Sequence, residues 1–244
     1  MPINRLNENG QAPFLFLCEH ASNFIPDEMN NLGLAADVLH THVAFDIGAA
    51  AMTRRLVTHF DAAAVLANFS RLIIDCNRDE QHEGLIPELT DGIAVPGNQH
   101  LDPHARQDRI QRFYHPFHDA SHDASRQMMA RSGVGALVGV HSFTPKMQSG
   151  KDRPWEISIM WNEDDRLARV LCDHFAGLGY NVGEQVPYSG EEWGYTITRH
   201  GRDMGHLHTQ IEVRQDQVAD DSGVDRWSKM LAEGLEKARS LMTN

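Results

Sequence analysis

Three side chains that can bind metal or transfer protons lie near the ends of short apolar segments. His20 and His141 come just after apolar runs, and Glu212 lies near the end of another. In open α/β sheets, ligands bind beyond the carboxyl ends of the strands, so these positions can share one site. A catalytic zinc ion takes three His, Asp or Glu ligands and leaves one position open for water. Each of these residues alone is more often a hydrogen-bonded structural residue, but their coincidence favours a catalytic metal site with His20 and His141 as two of its ligands.

The third metal ligand has more than one candidate. Asp46 lies at the predicted start of a helix, and Glu19 and His42 are alternatives. The side chain of Asp46 could instead cap that helix. We take Asp46 as the predicted third ligand and Zn²⁺ as the metal, with another divalent cation as the alternative.

Glu212 is the candidate proton acceptor of the reaction. Hydrolysis of an amide needs a carboxylate that is not a ligand, because a proton must pass from the attacking water to the leaving nitrogen. Glu212 lies within an apolar run, Ile211-Glu212-Val213, on a predicted strand. The alternative is a structural ion pair with Arg214 or another arginine.

The segment 68–78 contains residues suited to binding carboxylates. Arg71 and Arg78 carry guanidinium groups, which bind carboxylates through two parallel hydrogen bonds, and Asn68 and Asn77 add neutral donors. A solvated ion pair with Asp75 is the alternative for either arginine. We therefore expect a site for substrate carboxylates in this segment.

Histidine is abundant, with 15 residues, and three histidines recur at helical spacing. His115, His118 and His122 could share one helix face and bind a metal, or form an ordinary polar face. The cysteines, Cys18 and two others at 76 and 172, lie in apolar segments, which predicts reduced, structural thiols.

Apolar segments and helical segments alternate along the chain. The predicted strands are 14–18, 62–67, 136–140, 157–161, 181–186 and 208–213, with 72–74 as another strand or a continuation, and the predicted helices are 46–60, 102–132, 167–178 and 224–241. Continuous apolar strands that alternate with helices predict an α/β domain with a mostly parallel sheet covered on both faces. The segment 79–101 is predicted to be a long loop, and loops of this length are usually either functional or disordered. No linker divides the chain, so residues 1–244 are predicted to form a single domain.

Composition restricts the classes of partner. The sequence has 244 residues with 41% hydrophobic and 23% charged residues, as is typical of a folded protein. Its 22 basic and 34 acidic residues give a net charge of −12, which disfavours nucleic acid and anionic membranes. No apolar run could span a membrane and no secretion signal occurs, so we expect a cytoplasmic location. Serine-esterase elbows, phosphate-binding loops and paired Cys-x-x-Cys motifs are also absent from the sequence.

Several short motifs occur together in a recognisable order. They are Glu19-His20-Ala21-Ser22, Asn68-Phe69-Ser70-Arg71, Asp75-Cys76-Asn77-Arg78, Pro116-Phe117-His118, His141-Ser142-Phe143-Thr144-Pro145 and Ile211-Glu212-Val213-Arg214-Gln215-Asp216. In combination, over about residues 13–220, they resemble the N-formylglutamate amidohydrolase family. The resemblance implies a three-layer α/β/α sandwich around a mixed sheet, similar to zinc carboxypeptidases and aspartoacylases. It also implies metal-assisted hydrolysis of an N-acyl amino acid.

The resemblance assigns roles to individual residues. His20 and His141 match metal ligands, and Glu212 matches the catalytic carboxylate. The residues assigned to substrate binding are Asn68, Ser70, Arg71, Asn77, Arg78, His118 and Arg214. Two features depart from the family pattern: Asn23 stands where a carboxypeptidase-like motif has a ligand Glu, and Glu19-His20-Ala21-Ser22 differs from the Pro-His-Ser-Gly start of histidine-degrading enzymes.

The leading hypothesis is a zinc-dependent amidohydrolase that removes an N-formyl or another short N-acyl group from an acidic amino acid resembling N-formyl-L-glutamate. A carboxypeptidase-like or amidase activity on another N-acyl compound or peptide is the nearest alternative. A noncatalytic protein that binds metal or small acids is the alternative from a different class. The first hypothesis expects a small-molecule substrate as the partner. The second also allows a peptide, and the third also allows a metal ion.

Overall fold

The computed structural model describes residues 1–148 and 150–242. Its strands are β1 (Ile3–Leu6), β2 (Phe14–Cys18), β3 (Ala63–Ala67), β4 (Leu89–Thr90), β5 (Ile93–Ala94), β6 (Ala136–Phe143), β7 (Ile157–Met160), β8 (Val182–Glu184) and β9 (Leu207–Arg214). Its α-helices are α1 (Ala49–Phe60), α2 (Pro103–Arg109), α3 (His115–Ser132), α4 (Arg166–Gly177), α5 (Gly190–Trp193), α6 (Tyr195–His200) and α7 (Asp221–Ala238).

Seven strands form one mixed, mostly parallel sheet in the order β1-β3-β2-β6-β9-β7-β8. The central strands β3, β2, β6 and β9 run parallel to one another, and β8 runs parallel to β7. The strands β1 and β7 run antiparallel to their neighbours β3 and β9. The predicted α/β class and mixed sheet are confirmed.

Helices cover both faces of this sheet, which explains why the central strands β2 and β3 are apolar throughout. Phe14 and Phe16 of β2 pack with α1, α4 and α7 on one face. Leu15 and Leu17, whose side chains alternate with them, pack on the other face with α3, α6 and the π-helical segment Ile110–Tyr114. Because both faces are buried, every residue of β2 is apolar and buried.

Local sequence signals set the ends of the long helical segment as expected. The side chain of Asp102 accepts hydrogen bonds from two backbone N–H groups at the start of α2, and Pro103 occupies the first helical turn. Gly133, with φ of 73°, ends α3 in a conformation that favours glycine.

The segment 72–74 is not a strand, which corrects the prediction for that apolar run. Leu72 and Ile73 lie in a turn, and the N–H of Ile73 donates to the carbonyl of Ser70. Both side chains are nevertheless fully buried in the core on the α3 side of the sheet. The apolar run correctly indicated that these residues are buried. They are buried in a turn, however, and do not form a strand of the sheet.

The long segment 79–101 is ordered and contains short elements of its own. These are the 3₁₀ turns Glu83–Leu85 and Pro96–Asn98 and the two-stranded hairpin of β4 and β5. Elsewhere, the three cysteines are free and buried, as predicted. None of the helices in the described part of the chain is long and apolar enough to cross a membrane.

Candidate active site

A cavity of about 420 Å³ lies at the carboxyl ends of the central strands. His20 lies two residues beyond the end of β2, His141 lies in the last half of β6, and Glu212 lies near the end of β9. His141 and Glu212 are direct partners in the register of the two neighbouring strands. The cavity is therefore lined by all three side chains that the strand-end pattern singled out.

His20, Asp46 and His141 converge on one point beside this cavity. The Oδ2 atom of Asp46 is 3.4 Å from Nδ1 of His20 and 2.8 Å from Nδ1 of His141. One potential ligand atom from each of the three residues lies within 4.8 Å of the others, and all three side chains are buried. No second group of this kind occurs among residues 1–148 and 150–242.

The other nitrogen of each histidine faces a second carboxylate. His20 Nε2 is 2.7 Å from Oδ1 of Asp75, and His141 Nε2 is 3.4 Å from Oε2 of Glu19. Histidines that bind metals usually present their second nitrogen to a carboxylate or carbonyl in this way, which fixes the ring orientation. Glu19, one of the alternatives for the third ligand, lies on this outer side of the group.

His42, the other alternative for the third metal ligand, and the helix-capping alternative for Asp46 can be compared with the observed contacts. His42 lies 3.1 Å from Oδ2 of Asp91, at the rim of the cavity. The residue that caps α1 is Gly48, with φ of 82°, and no side chain caps this helix. The capping role considered for Asp46 is therefore wrong, and its carboxylate faces the two histidines instead.

Opposite charges dominate the electrostatics of this group. Burial lowers the pKa of His141, but the carboxylates of Glu19 and Asp46 outweigh burial and raise it well above its usual value. Burial raises the pKa of Glu19, yet the facing His141 lowers it to about 2. The pKa of Asp46 is likewise lowered by the two histidines despite burial. A buried set of imidazole and carboxylate donors with this excess of negative charge could hold a metal ion.

Glu212 lies beside this group without an arginine partner among the described residues. Its Oε1 accepts a hydrogen bond of 2.8 Å from Nε2 of Gln210, and burial raises its pKa. Arg214 points elsewhere: it pairs with Asp216 at 2.7 Å and donates to the carbonyl oxygens of residues 153–155. The structural pairing of Glu212 with Arg214 is thus not formed.

The two arginines of the segment 68–78 differ in their partners. Arg71 bonds Oδ2 of Asp75 at 2.6 Å and lies 3.6 Å from Oδ1 of Asp46. Arg78 donates to the carbonyl of Asn77 at 2.7 Å, and its guanidinium lies 4.4 Å from the ring centre of Trp193. Within the described ranges, no carboxylate lies within ion-pair distance of Arg78. Arg71 is therefore neutralised by the protein, whereas Arg78 is available to an acidic ligand.

Four residues assigned to substrate binding by the resemblance do not line the cavity: Asn68, Ser70, His118 and Arg214. Asn68 donates its side-chain N–H to the carbonyl of Met1, and Ser70 donates its hydroxyl to the carbonyl of Ala44. Both contacts are structural, and neither residue is retained in the site proposed below.

The histidines of the predicted His-rich face have separate partners. His118 Nδ1 lies 2.8 Å from Nε2 of His200, in a buried, stacked pair, and His115 lies 2.9 Å from Glu80 near the surface. Residues 115, 118 and 122 do not converge on one point, so this helix face does not form the metal group that its spacing allowed.

Sequence reasoning missed two kinds of residue that line the cavity. Gln210 lies two positions before Glu212 on β9, so strand periodicity alone could have placed both side chains on one face. Tyr188 and Trp193 reach the cavity from the loop and short helix after β8, where no local pattern indicated a role. The segment 79–101 also contributes, through Glu83 and Leu89 among others.

One comparison with known proteins shows the family of this chain, and two solved structures share its fold. The model of a protein family described as N-formylglutamate amidohydrolase matches residues 12–219. The crystal structure of a gene product from Agrobacterium tumefaciens is 34% identical with a TM-score of 0.95, and the match covers 100% of this chain and 96% of that one. The crystal structure of an N-formylglutamate amidohydrolase from Ralstonia eutropha has the same fold, with 19% identity, a TM-score of 0.77 and coverage of 99% and 98%. No curated protein gives a significant match.

Proposed function

This chain belongs to the N-formylglutamate amidohydrolase family, and we propose that it uses a divalent metal, zinc, to hydrolyse the amide bond of an N-formyl or other short N-acyl amino acid. N-Formyl-L-glutamate is the first candidate substrate. The single observation that carries the metal-dependent mechanism is the convergence of His20, Asp46 and His141 next to Glu212 in one cavity. The products are a carboxylic acid, formate for an N-formyl substrate, and the free amino acid.

The metal would be held by Nδ1 of His20, Nδ1 of His141 and the carboxylate of Asp46. When bound, a divalent cation lowers the pKa of a coordinated water and polarises the substrate carbonyl. Asp75 hydrogen-bonds Nε2 of His20, and Glu19 faces Nε2 of His141 at 3.4 Å, so both carboxylates would favour the ring orientations that aim Nδ1 at Asp46.

Glu212 would move the proton that hydrolysis requires. It takes a proton from the attacking water as the new C–O bond forms, and gives it to the nitrogen as the C–N bond breaks. Burial raises the pKa of Glu212, which brings the carboxyl group closer to the neutral range where a proton can be both accepted and returned. Glu212 needs no bond to the metal for this role.

Arg78 would bind the carboxylate of the amino acid. Its guanidinium is stacked on Trp193, lines the cavity and has no carboxylate partner in the described part of the protein. Arg71 is engaged by Asp75 and Asp46, so it would support the metal group more than the substrate. Asn77, whose Oδ1 accepts from the N–H of Thr196, lines the same wall of the cavity.

Metal analysis combined with product release tests this function. We expect about one zinc per chain and release of formate from N-formyl-L-glutamate or a related N-formyl amino acid. Glu212→Gln should keep the metal and lose about 10²–10⁴ in rate, because glutamine cannot accept the proton. Glu233→Gln, on the exposed face of α7, is the matched control and should retain full activity.

The outcomes separate the hypotheses. Metal without turnover of any N-acyl amino acid would reject the enzyme and favour a binding protein. Turnover only of larger N-acyl compounds or peptides would reject the substrate class. Loss of metal in Glu212→Gln would make Glu212 a ligand, and unchanged turnover in that variant would reject it as the proton carrier.

Substitution of Arg78 tests the proposed carboxylate contact. A charge-assisted hydrogen bond to substrate contributes about 1.5–3 kcal/mol, so Arg78→Lys should raise KM about 10- to 150-fold. Metal content should stay at the wild-type value. Arg71→Lys is the comparison: we expect it to weaken metal retention instead, because Arg71 contacts Asp46 and Asp75. An unchanged KM in Arg78→Lys would place the carboxylate site elsewhere.

A further inference from the structure

A continuous series of buried hydrogen bonds connects Glu212 to the far side of the metal-binding group. Nε2 of Gln210 donates to Oε1 of Glu212 at 2.8 Å, and Oε1 of Gln210 accepts from Nδ2 of Asn77 at 3.3 Å. Oδ1 of Asn77 accepts from the backbone N–H of Thr196 at 3.1 Å, and the Thr196 hydroxyl donates to Glu19. All of these side chains are buried.

One backbone group determines which atoms donate and which accept in this series of hydrogen bonds. The N–H of Thr196, in α6, can only donate, so the atom of Asn77 that faces it must be the oxygen. Nδ2 of Asn77 then points to Gln210, which must present its own oxygen there and turn its NH₂ group to Glu212. The N–H of Thr196 therefore fixes the orientation of the side-chain amides of Asn77 and Gln210. As a result, Glu212 receives a hydrogen bond from the NH₂ group of Gln210.

The sheet provides the space for this arrangement. Gln210 and Glu212 are two residues apart on β9 and lie on the same face, opposite Gly139 and His141 of β6. A Cβ atom on Gly139 would lie 3.2 Å from Cγ of Gln210, closer than ordinary packing allows. Glycine at this position lets the Gln210 side chain lie across β6 and reach Asn77.

We propose that Gln210 is a positioning residue that holds Oε1 of Glu212 and thereby aims Oε2 at the reacting water. Among the residues that the structure describes, Oε2 of Glu212 receives no hydrogen bond, so it is the oxygen left for proton transfer. Gln210 donates to Glu212 without adding a charge next to the metal group. This inference rests on the proposed function, because it requires Glu212 to carry the proton.

Two variants distinguish the effect of the hydrogen bond that Gln210 donates from the effect of the size of its side chain. Gln210→Met keeps the length and removes both polar atoms. Gln210→Glu keeps an acceptor for Asn77 and replaces the donor with an oxygen that repels Glu212. Both should lower kcat about 10- to 100-fold, the loss expected for a hydrogen bond to a charged group, while KM changes by less than about threefold. Thr209→Val is the matched control: it removes a buried hydrogen bond from the adjacent residue of β9 without touching Glu212, and should leave kcat near wild type.

A double-mutant cycle gives the decisive measurement. If Gln210 acts through Glu212, Gln210→Met added to Glu212→Gln should lower kcat no further than Glu212→Gln alone. Metal content and thermal unfolding are measured on every variant, and Gln210→Glu gives the same test if Gln210→Met does not fold. Equal losses in both backgrounds, an equal loss in Thr209→Val, or a change confined to KM would overturn the inference. A wild-type protein without hydrolase activity would instead reject the proposed function, and this inference with it.

Discussion

Two pairs of buried histidines in this protein have nearly the same ring separation but opposite surroundings. The ring centres of His20 and His141 are 5.0 Å apart, edge to face, and those of His118 and His200 are 5.1 Å apart, stacked. All four side chains are at most 3% exposed. Burial and proximity are therefore common to both pairs, and neither property identifies a metal site.

The neighbouring charges distinguish the pairs. Three carboxylates surround His20 and His141, and they raise the pKa of both rings against the effect of burial. Around the second pair, burial and the nearby Arg199 lower the pKa of His118 well below its usual value and that of His200 to about 3. A cation is stabilised only in the first environment. Counter-charge, more than histidine content, therefore distinguishes the proposed metal site from the other histidine pair.

The largest expected contrast is in metal content. His141→Ala should abolish stoichiometric metal binding, because it removes one of the three proposed ligands, whereas His200→Ala should retain about one metal per chain. Elemental analysis of the purified variants checks both results. Full metal occupancy in His141→Ala, or loss of metal in a folded His200→Ala, would contradict the distinction between the pairs.

The carboxylate shared by the first pair gives the next largest effect. Asp46→Asn should weaken metal affinity more than about 100-fold, beyond the effect typical of outer partners. The fold should persist, because Gly48 and not Asp46 caps α1. Competition with a chelator measures the affinity. Asp220→Asn, at a carboxylate that does cap a helix, is the control and should leave the affinity unchanged; equal affinities in both variants would remove Asp46 from the ligands.

The outer carboxylates should have a smaller effect. Asp75→Asn and Glu19→Gln should each lower metal affinity about 10- to 100-fold, because they orient His20 and His141 without binding the metal. The same chelator titration applies. Glu80→Gln provides the matched control, since it removes a carboxylate from a histidine outside the site, His115. A loss in Glu80→Gln equal to the other two would indicate a general charge effect.

The buried pair of His118 and His200 should lower the free energy of unfolding in acid. In the unfolded chain both histidines titrate near pH 6.5, but in the folded protein their pKa values are lowered, that of His200 to about 3. Below pH 6.5 the unfolded state binds more protons, so the free energy of unfolding falls as pH falls, by up to about 1.4 kcal/mol per pH unit for each histidine.

Replacing both rings tests this dependence. With His118→Gln and His200→Gln together, the free energy of unfolding should depend less steeply on pH between about 6.5 and 4. Urea unfolding of both proteins in metal-free buffer gives the slopes. The histidines of the first pair titrate equally in both proteins, so the difference isolates the second pair. Parallel curves would show that His118 and His200 are not responsible.

Local sequence patterns determined the framework of this protein and the edge of the sheet where the site lies. The apolar runs 14–18 and 136–140 correspond to central strands, because a strand buried on both faces is apolar along most of its length. The polar residues that follow such strands then lie at one edge. That reasoning was enough to select His20, His141 and Glu212 for the candidate site.

Tertiary structure decided which polar groups meet. Asp75 lies 55 positions from His20 in the sequence, and Asp46 lies 95 positions from His141. The run 72–74 became a buried turn, and His118 paired with His200. Periodicity reports burial and local conformation because both depend on neighbours a few residues apart. Hydrogen-bond partners depend on strand register and on loops from distant parts of the chain, so the roles of Asp75 and Gln210 became visible only in the folded protein.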